Sequence, residues 1–124
     1  MSVYTLSTRN PSVCPVFDHM KHGTKTVEGR PYSTKYQKMQ VGDTLIFKHK
    51  DRKLRTQIQS LKRYKTLHAY LKGEGLKKTL PGIHTMDEGI QLYNRWSSDA
   101  QRRKLRQRHG YAMLAIRVKH LKKT

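Results

Sequence analysis

The sequence predicts an α+β fold of short helices set against strands, and three observations predict it. Apolar and polar residues alternate within bounded runs such as Leu54–Lys65, the period of a half-buried strand. Helix-start signals lie between such runs, clearest at Thr85 and Glu88, a capping-box pair ahead of an apolar stripe. Glycine and proline punctuate the joins at Gly23, Pro31, Gly42, Gly73, Pro81 and Gly110. For 124 residues the expectation is one domain, 1–124, around a single modest core, with no internal repeat or low-complexity linker.

Taken in order, Val3–Leu6 reads as a first strand, and Ser12 with Pro15 starts a helix that Gly23 ends after Met20 or His22. Val16 and Met20, four apart, face the core. A strand beginning at Lys25 would set Thr26, Glu28 and Arg30 on one face and Val27 on the other. Residues 31–38 read as polar and irregular, and Val41-Gly-Asp43 as a turn into the buried strand Thr44–Phe47. In the long strand Leu54, Thr56, Ile58, Ser60 and Tyr64 share the inner parity, while Arg55, Gln57, Gln59, Arg63 and Lys65 make a basic outer face. Leu61 on that outer parity signals a bulge. A helix follows from Thr66 to near Gly73, then the Thr85 helix with Met86, Ile90, Tyr93 and Trp96 as its apolar stripe. A charged segment, Ala100–Arg108, precedes a last strand, Tyr111–Leu121, with Leu114, Ile116 and Val118 on one face.

Charge points to the partner class. The chain carries 27 Lys and Arg against 8 Asp and Glu, a formal net charge of +19, more than solubility requires. A polyanion is the expected partner: RNA first, DNA second. The region 100–124 holds nine Lys or Arg and no acid, with Arg102, Arg103, Lys104, Arg106 and Arg108 packed into seven positions. Together with Arg55, Arg63 and Lys65 these are the expected phosphate-backbone contacts. No apolar run approaches the roughly 18 residues of a membrane span, and Cys14 has no second cysteine to pair with, so an intracellular monomer is expected. Seven scattered histidines make no zinc pattern, and there is neither a phosphate-cradling glycine loop nor a serine-hydrolase elbow. Neither metal nor cofactor is expected.

The densest mixture of polar chemistry is Gly23–Arg30, where Lys25, Thr26, Glu28 and Arg30 stand within eight residues. A lysine kept from water beside a carboxylate can act as a base or nucleophile; the same residues can equally form a structural ion pair, Glu28 with Arg30 or with Lys25. Tyr32, Tyr36, Tyr64, Tyr70, Tyr93 and Trp96 are the aromatics available to stack on an unpaired base, and Tyr32 and Tyr93 are placed with Thr26 and Arg30 in a nucleotide-sized cleft.

Gly23-x-Lys25-Thr-Val-Glu28-Gly-Arg30, the later Val41-Gly-Asp43 before Leu45-Ile-Phe47, and a Glu88–Tyr93 helix before a closing apolar strand together resemble the ASCH domain family, a branch of the PUA-like superfamily. The resemblance implies a small mixed β-barrel flanked by short helices, with a cleft at the Glu28 and Arg30 strand. It also implies RNA or DNA binding, since members are associated with nucleic acid and some with transcription coactivation. Other members are amidohydrolases that deacetylate N4-acetylcytidine with a lysine, a threonine and a glutamate, and single-stranded RNA cleavage is attributed to the family as well. Carried onto this chain, the lysine is Lys25 and the glutamate Glu74. The threonine position is occupied by Glu28, and Thr26 could supply a hydroxyl only with a different local backbone. For cleavage, Lys25, Glu28 or His22 would be the acid or base. A net charge of +19 suits a polymer better than a free nucleoside, which sets RNA binding ahead of either hydrolase.

Overall fold

The computed structural model describes residues 1–121; Lys122, Lys123 and Thr124, the end of the basic region, lie outside them. Five strands form one sheet: β1 (Val3–Ser7), β2 (Val27–Pro31), β3 (Thr44–His49), β4 (Arg52–Tyr64) and β5 (Met113–His120). Their order is β1-β3-β4-β5-β2, with β1 parallel to β3 and the other neighbours antiparallel. The sheet curls but stays open, which corrects the expected closed barrel. Closure needs a ladder between β1 and β2, and these two edge strands pair only with β3 and β5. A side chain spans the gap instead: the Arg30 guanidinium donates to the Ser7 carbonyl at 2.9 Å.

Among the described residues six helices accompany the sheet: α1 (Val16–His22), α2 (Thr34–Gln37), α3 (Leu67–Glu74), α4 (Leu76–Thr79), α5 (Met86–Asn94) and α6 (Asp99–His109). Their ends follow side-chain capping. Thr66, Thr85 and Ser98 each accept from a backbone N–H three residues on, and the Thr85 hydroxyl also donates to the Glu88 carboxylate at 2.8 Å, so the expected Thr85–Glu88 pair forms side chain to side chain. At α1 the cap is not Ser12. Asn10 Oδ1, reaching from the preceding loop, accepts from the Phe17 and Asp18 amides at 3.1 and 3.4 Å. Gly23 then ends α1 at a φ of 79°, a left-handed conformation that glycine adopts without strain. The single-turn helix α2 replaces part of the irregular reading of 31–38, and the single-turn helix α4 is a further element that the sequence reading did not name.

Two differences in strand register bear on the site. In β4 the pairing with β5 slips between Ile58 and Ser60, so Ser60 faces solvent and Leu61 becomes half-buried. The inner parity read from sequence therefore holds only up to Ile58 and resumes at Tyr64. In β2 the strand starts at Val27, not Lys25. The Thr26 amide turns to the Lys78 carbonyl at 3.2 Å, and its own carbonyl accepts from the Val118 amide.

Leu6, Leu45, Phe47, Ile58, Leu114 and Ile116 supply the sheet's share of the core, Phe17 and Met20 that of α1, and Tyr70 and Leu71 that of α3. On α5 the deepest positions are Gly89, Leu92 and Tyr93, while Met86, Ile90 and Trp96 are only half-buried. From Met113 to Ile116 β5 is buried without alternation, as expected for a central strand covered on both faces. The ring of Tyr70 lies directly over the backbone of β2, where a Cβ at Gly29 would run into it. Gly29→Ala is therefore expected to destabilise the fold by about 1–3 kcal/mol, measured as a lower denaturant midpoint with unchanged slope. An unaltered midpoint would show that Tyr70 can move aside freely.

Candidate functional site

The open seam of the sheet is a cleft of about 590 Å³. One lip is the end of β1 and the residues after it, Ser7, Thr8 and Arg9; the other is β2 from Glu28 to Pro31. Ser33, Lys35 and Tyr36 of the α2 region, Tyr93, Trp96 and Ser97 at the end of α5, and Gln101 of α6 complete the wall. Among these residues stand three cations, Arg9, Arg30 and Lys35, and one carboxylate, Glu28.

That carboxylate is held between two cations out of water. Glu28 Oε1 lies 3.4 Å from Lys25 Nζ and accepts from the Gly29 amide at 3.2 Å; Oε2 accepts from Arg30 Nε and Nη2 at 3.3 and 3.0 Å. The ammonium of Lys25, 2% exposed, also donates to the Val27 carbonyl at 2.6 Å and to the Thr79 carbonyl. Burial alone would raise the Glu28 carboxyl, but the charges of Lys25 and Arg30 outweigh it and hold the group below its ordinary value of 4.5. Burial pushes Lys25 down and Glu28 offsets part of that shift. With three acceptors around it, Lys25 has the surroundings of an ammonium and no lone pair free for attack. Both ion pairs anticipated from the sequence form, and they share one carboxylate.

An aromatic series backs the site. Tyr64, Tyr70, Tyr93 and Trp96 meet edge to face in succession at 5.9, 5.9 and 5.1 Å, so the half-buried indole at the cleft is braced by rings running into the core. The Tyr70 and Tyr93 hydroxyls lie 3.3 Å apart, and burial raises both phenols, keeping them neutral. Tyr36 stands across the cleft with its hydroxyl 3.4 Å from Arg30 Nη1. Deep beneath, the Cys14 thiol is fully buried and raised by that burial. Among the described residues no three His, Cys, Asp or Glu side chains gather as a metal site, and no helix is long and apolar enough to cross a membrane.

The ASCH domain model matches residues 13–119, which spans α1 to β5 and the β2 lip of the cleft but not the β1 lip. The chain belongs to the ASCH family. Solved structures resemble this ASCH protein along nearly its whole length. Hypothetical protein PH0355 aligns with a TM-score of 0.80 and 23% identity over 96% of this chain and 99% of that one. Protein PF0455 from Pyrococcus furiosus aligns at 0.72 and 25% over 98% and 99%. An ASCH domain from Lactobacillus crispatus aligns at 0.58 and 18% over 96% and 79%. No curated protein matches the sequence.

Within this ASCH fold the residues singled out from sequence fall in several separate places. Glu28, Arg30 and Tyr93 meet at the seam cleft, with Lys25 behind them. Thr26 does not: because β2 begins after it, it lines a second cavity with Lys78 and Arg117. Tyr32 packs edge-on against His109 and Tyr111, near Arg63, whose guanidinium covers the Tyr111 ring at 4.7 Å. Glu74 is held elsewhere, accepting from the Tyr64 hydroxyl and lying 3.5 Å from Arg117, so Lys25 and Glu74 do not form a pair. Of the basic residues, Arg55, Arg63, Lys65, Arg103, Lys104, Arg106 and Arg108 are exposed. Arg102 turns inward, 4% exposed, donating to the Ser97 carbonyl and hydroxyl and to Asn94, where it braces the α5–α6 corner. Ser7, Thr8, Arg9, Lys35 and Gln101 were not singled out, because cleft membership depends on how far the sheet curls and no local pattern records that.

Lys25→Met is expected to cost about 3–5 kcal/mol of stability, since Glu28 loses a buried partner. The folded pKa of Glu28 is depressed, so its contribution is present above pH 4.5 and is lost as pH falls through the folded value. Stability measured from pH 6 down to about pH 2 should fall more steeply in the wild type than in Glu28→Gln; parallel curves would contradict the ionised triad.

Proposed function

We propose that this chain works as one monomeric ASCH-type unit that binds RNA, placing a single nucleotide in the seam cleft while the exposed basic residues hold the backbone. The observation that carries this reading is the cleft itself: a braced indole and two tyrosines beside Arg30, with Arg9 and Lys35 at the rim. A base can stack on Trp96, and a phosphate can meet Arg9 or Lys35. Glu28, its oxygens engaged by Lys25, Gly29 and Arg30, orders the Arg30 guanidinium beneath the ligand. The family's general association with nucleic acid and the net charge of +19 support the same reading.

The hydrolase alternatives have less support: Lys25 and Glu74 are not paired, and Lys25 and Glu28, although 3.4 Å apart, are engaged with each other and with further partners. Lys25 has its donors committed, Glu74 belongs to Tyr64 and Arg117, and His22 is exposed at the end of α1. Deacetylation of N4-acetylcytidine through Lys25 and Glu74 would require both side chains to leave their present partners.

Fluorescence anisotropy with labelled single-stranded RNA is expected to give micromolar or tighter binding that weakens steeply with salt. Neutralising Arg103 and Arg106 should make the log–log salt slope shallower by roughly one per lost phosphate contact. Trp96→Ala should weaken binding by about 1–3 kcal/mol with the slope unchanged. Binding that is undetectable at low salt, or indifferent to salt, would overturn the reading.

A further inference from the structure

We propose that the second cavity, of about 360 Å³, is a phosphate-binding site separate from the seam cleft. It opens where three backbone paths diverge. The β2–β5 ladder ends at Val27 opposite Arg117; the Thr26 carbonyl still accepts from the Val118 amide, while the Thr26 amide turns to α4. On the other side of β5, the slip in β4 displaces Gln59 from regular pairing. The end of α4 closes the remaining side, with Thr26 bonded to the Lys78 carbonyl.

Cations converge there without carboxylates. Lys78, Arg117 and Lys119 line the cavity beside the His120 imidazole, Lys25 lies in its wall, and none of the lining residues is acidic. Two acids touch lining residues from outside the cavity: Glu28 lies 3.4 Å from Lys25 and Glu74 3.5 Å from Arg117. Among the described residues Lys78 and Lys119 pair with no carboxylate. Lys25 contributes charge but no free donor, since its ammonium is already bonded. Bringing like charges around one cavity costs energy that a bound anion would reverse, and cations approaching from several elements suit a tetrahedral anion with several acceptor oxygens. Gln59 and Thr26 add an amide and a hydroxyl at the edge, and the volume falls within the roughly 300–1,000 Å³ of ligand cavities, leaving room for a sugar beside the phosphate. The ligand chemistry is therefore a phosphate ester, either free or as one unit of a nucleic-acid backbone.

The test is an amide-resolved NMR titration of the full chain with inorganic phosphate at constant ionic strength. Saturable shifts are expected at Thr26, Gln59 and Lys119. In a Lys78→Ala, Lys119→Ala double variant, whose two altered side chains are exposed, the apparent affinity should fall roughly tenfold or more while the remaining spectrum is preserved. Trp96, the one tryptophan of the chain, reports the seam cleft independently by fluorescence, so failure of the cleft and failure of this site are read separately. Shifts that do not saturate, that stay confined to the seam cleft, or that persist unchanged in the double variant overturn the proposal. Parallel titrations with cytidine monophosphate and a short single-stranded oligonucleotide identify the source. Tighter binding of the oligonucleotide at these amides assigns the site to a polymer backbone; equal or tighter binding of the mononucleotide assigns it to a free ester.

Discussion

A carboxylate buried between two cations is the constraint on which the rest of the molecule depends. Removing Glu28 from water is costly unless its oxygens are fully engaged, and they are engaged only if Lys25, Gly29 and Arg30 keep their places. Holding Lys25 there in turn requires the Thr79 carbonyl at the end of α4, so a helix distant in sequence is tied to the start of β2. Arg30 carries the same network outward to Ser7 on the opposite edge of the sheet. Three segments that share no ladder are thus registered against one another by a few charged hydrogen bonds, and the cleft takes its shape from that registration.

The electrostatic consequence is a division of labour. Inside, every cation is fixed by acceptors: Lys25 and Arg30 share Glu28, and Arg102 meets neutral oxygens. Outside it is left largely unbalanced, with Arg103 paired to Asp99 on an exposed helix face and most other arginines and lysines facing water alone among the described residues. Buried charges set geometry because they are little screened, whereas exposed ones act over a Debye length of about 8 Å and answer to salt. The same residue types therefore do different physical work according to depth.

That distinction also marks what the sequence could and could not tell. Capping pairs such as Thr85 with Glu88 and the alternation of β4 were legible because they are local, within three or four residues. The Glu28 ion pairs were legible for the same reason. Asn10 as the cap of α1 was not, since it acts across a loop of intervening residues, and the inward turn of Arg102 was hidden because a run of five basic residues in seven looks solvated as a whole. The register slip at Gln59 was signalled only indirectly, by Leu61 on the wrong parity. Openness of the sheet was the least visible property. It depends on the absence of a ladder between the first strand and the second, which face each other only once β3, β4 and β5 have curled.

The Arg30–Ser7 bridge has a consequence for how such a cleft can change. A closed barrel has a bore dictated by strand number and stagger, and altering it disturbs every ladder at once. Here the gap between the two lips is spanned by a side chain, so its width is an independent variable, adjustable by substitution at one position without re-pairing any strand. The molecule resembles a clasp more than a cylinder: its frame can stay constant while the aperture is refitted to a different guest.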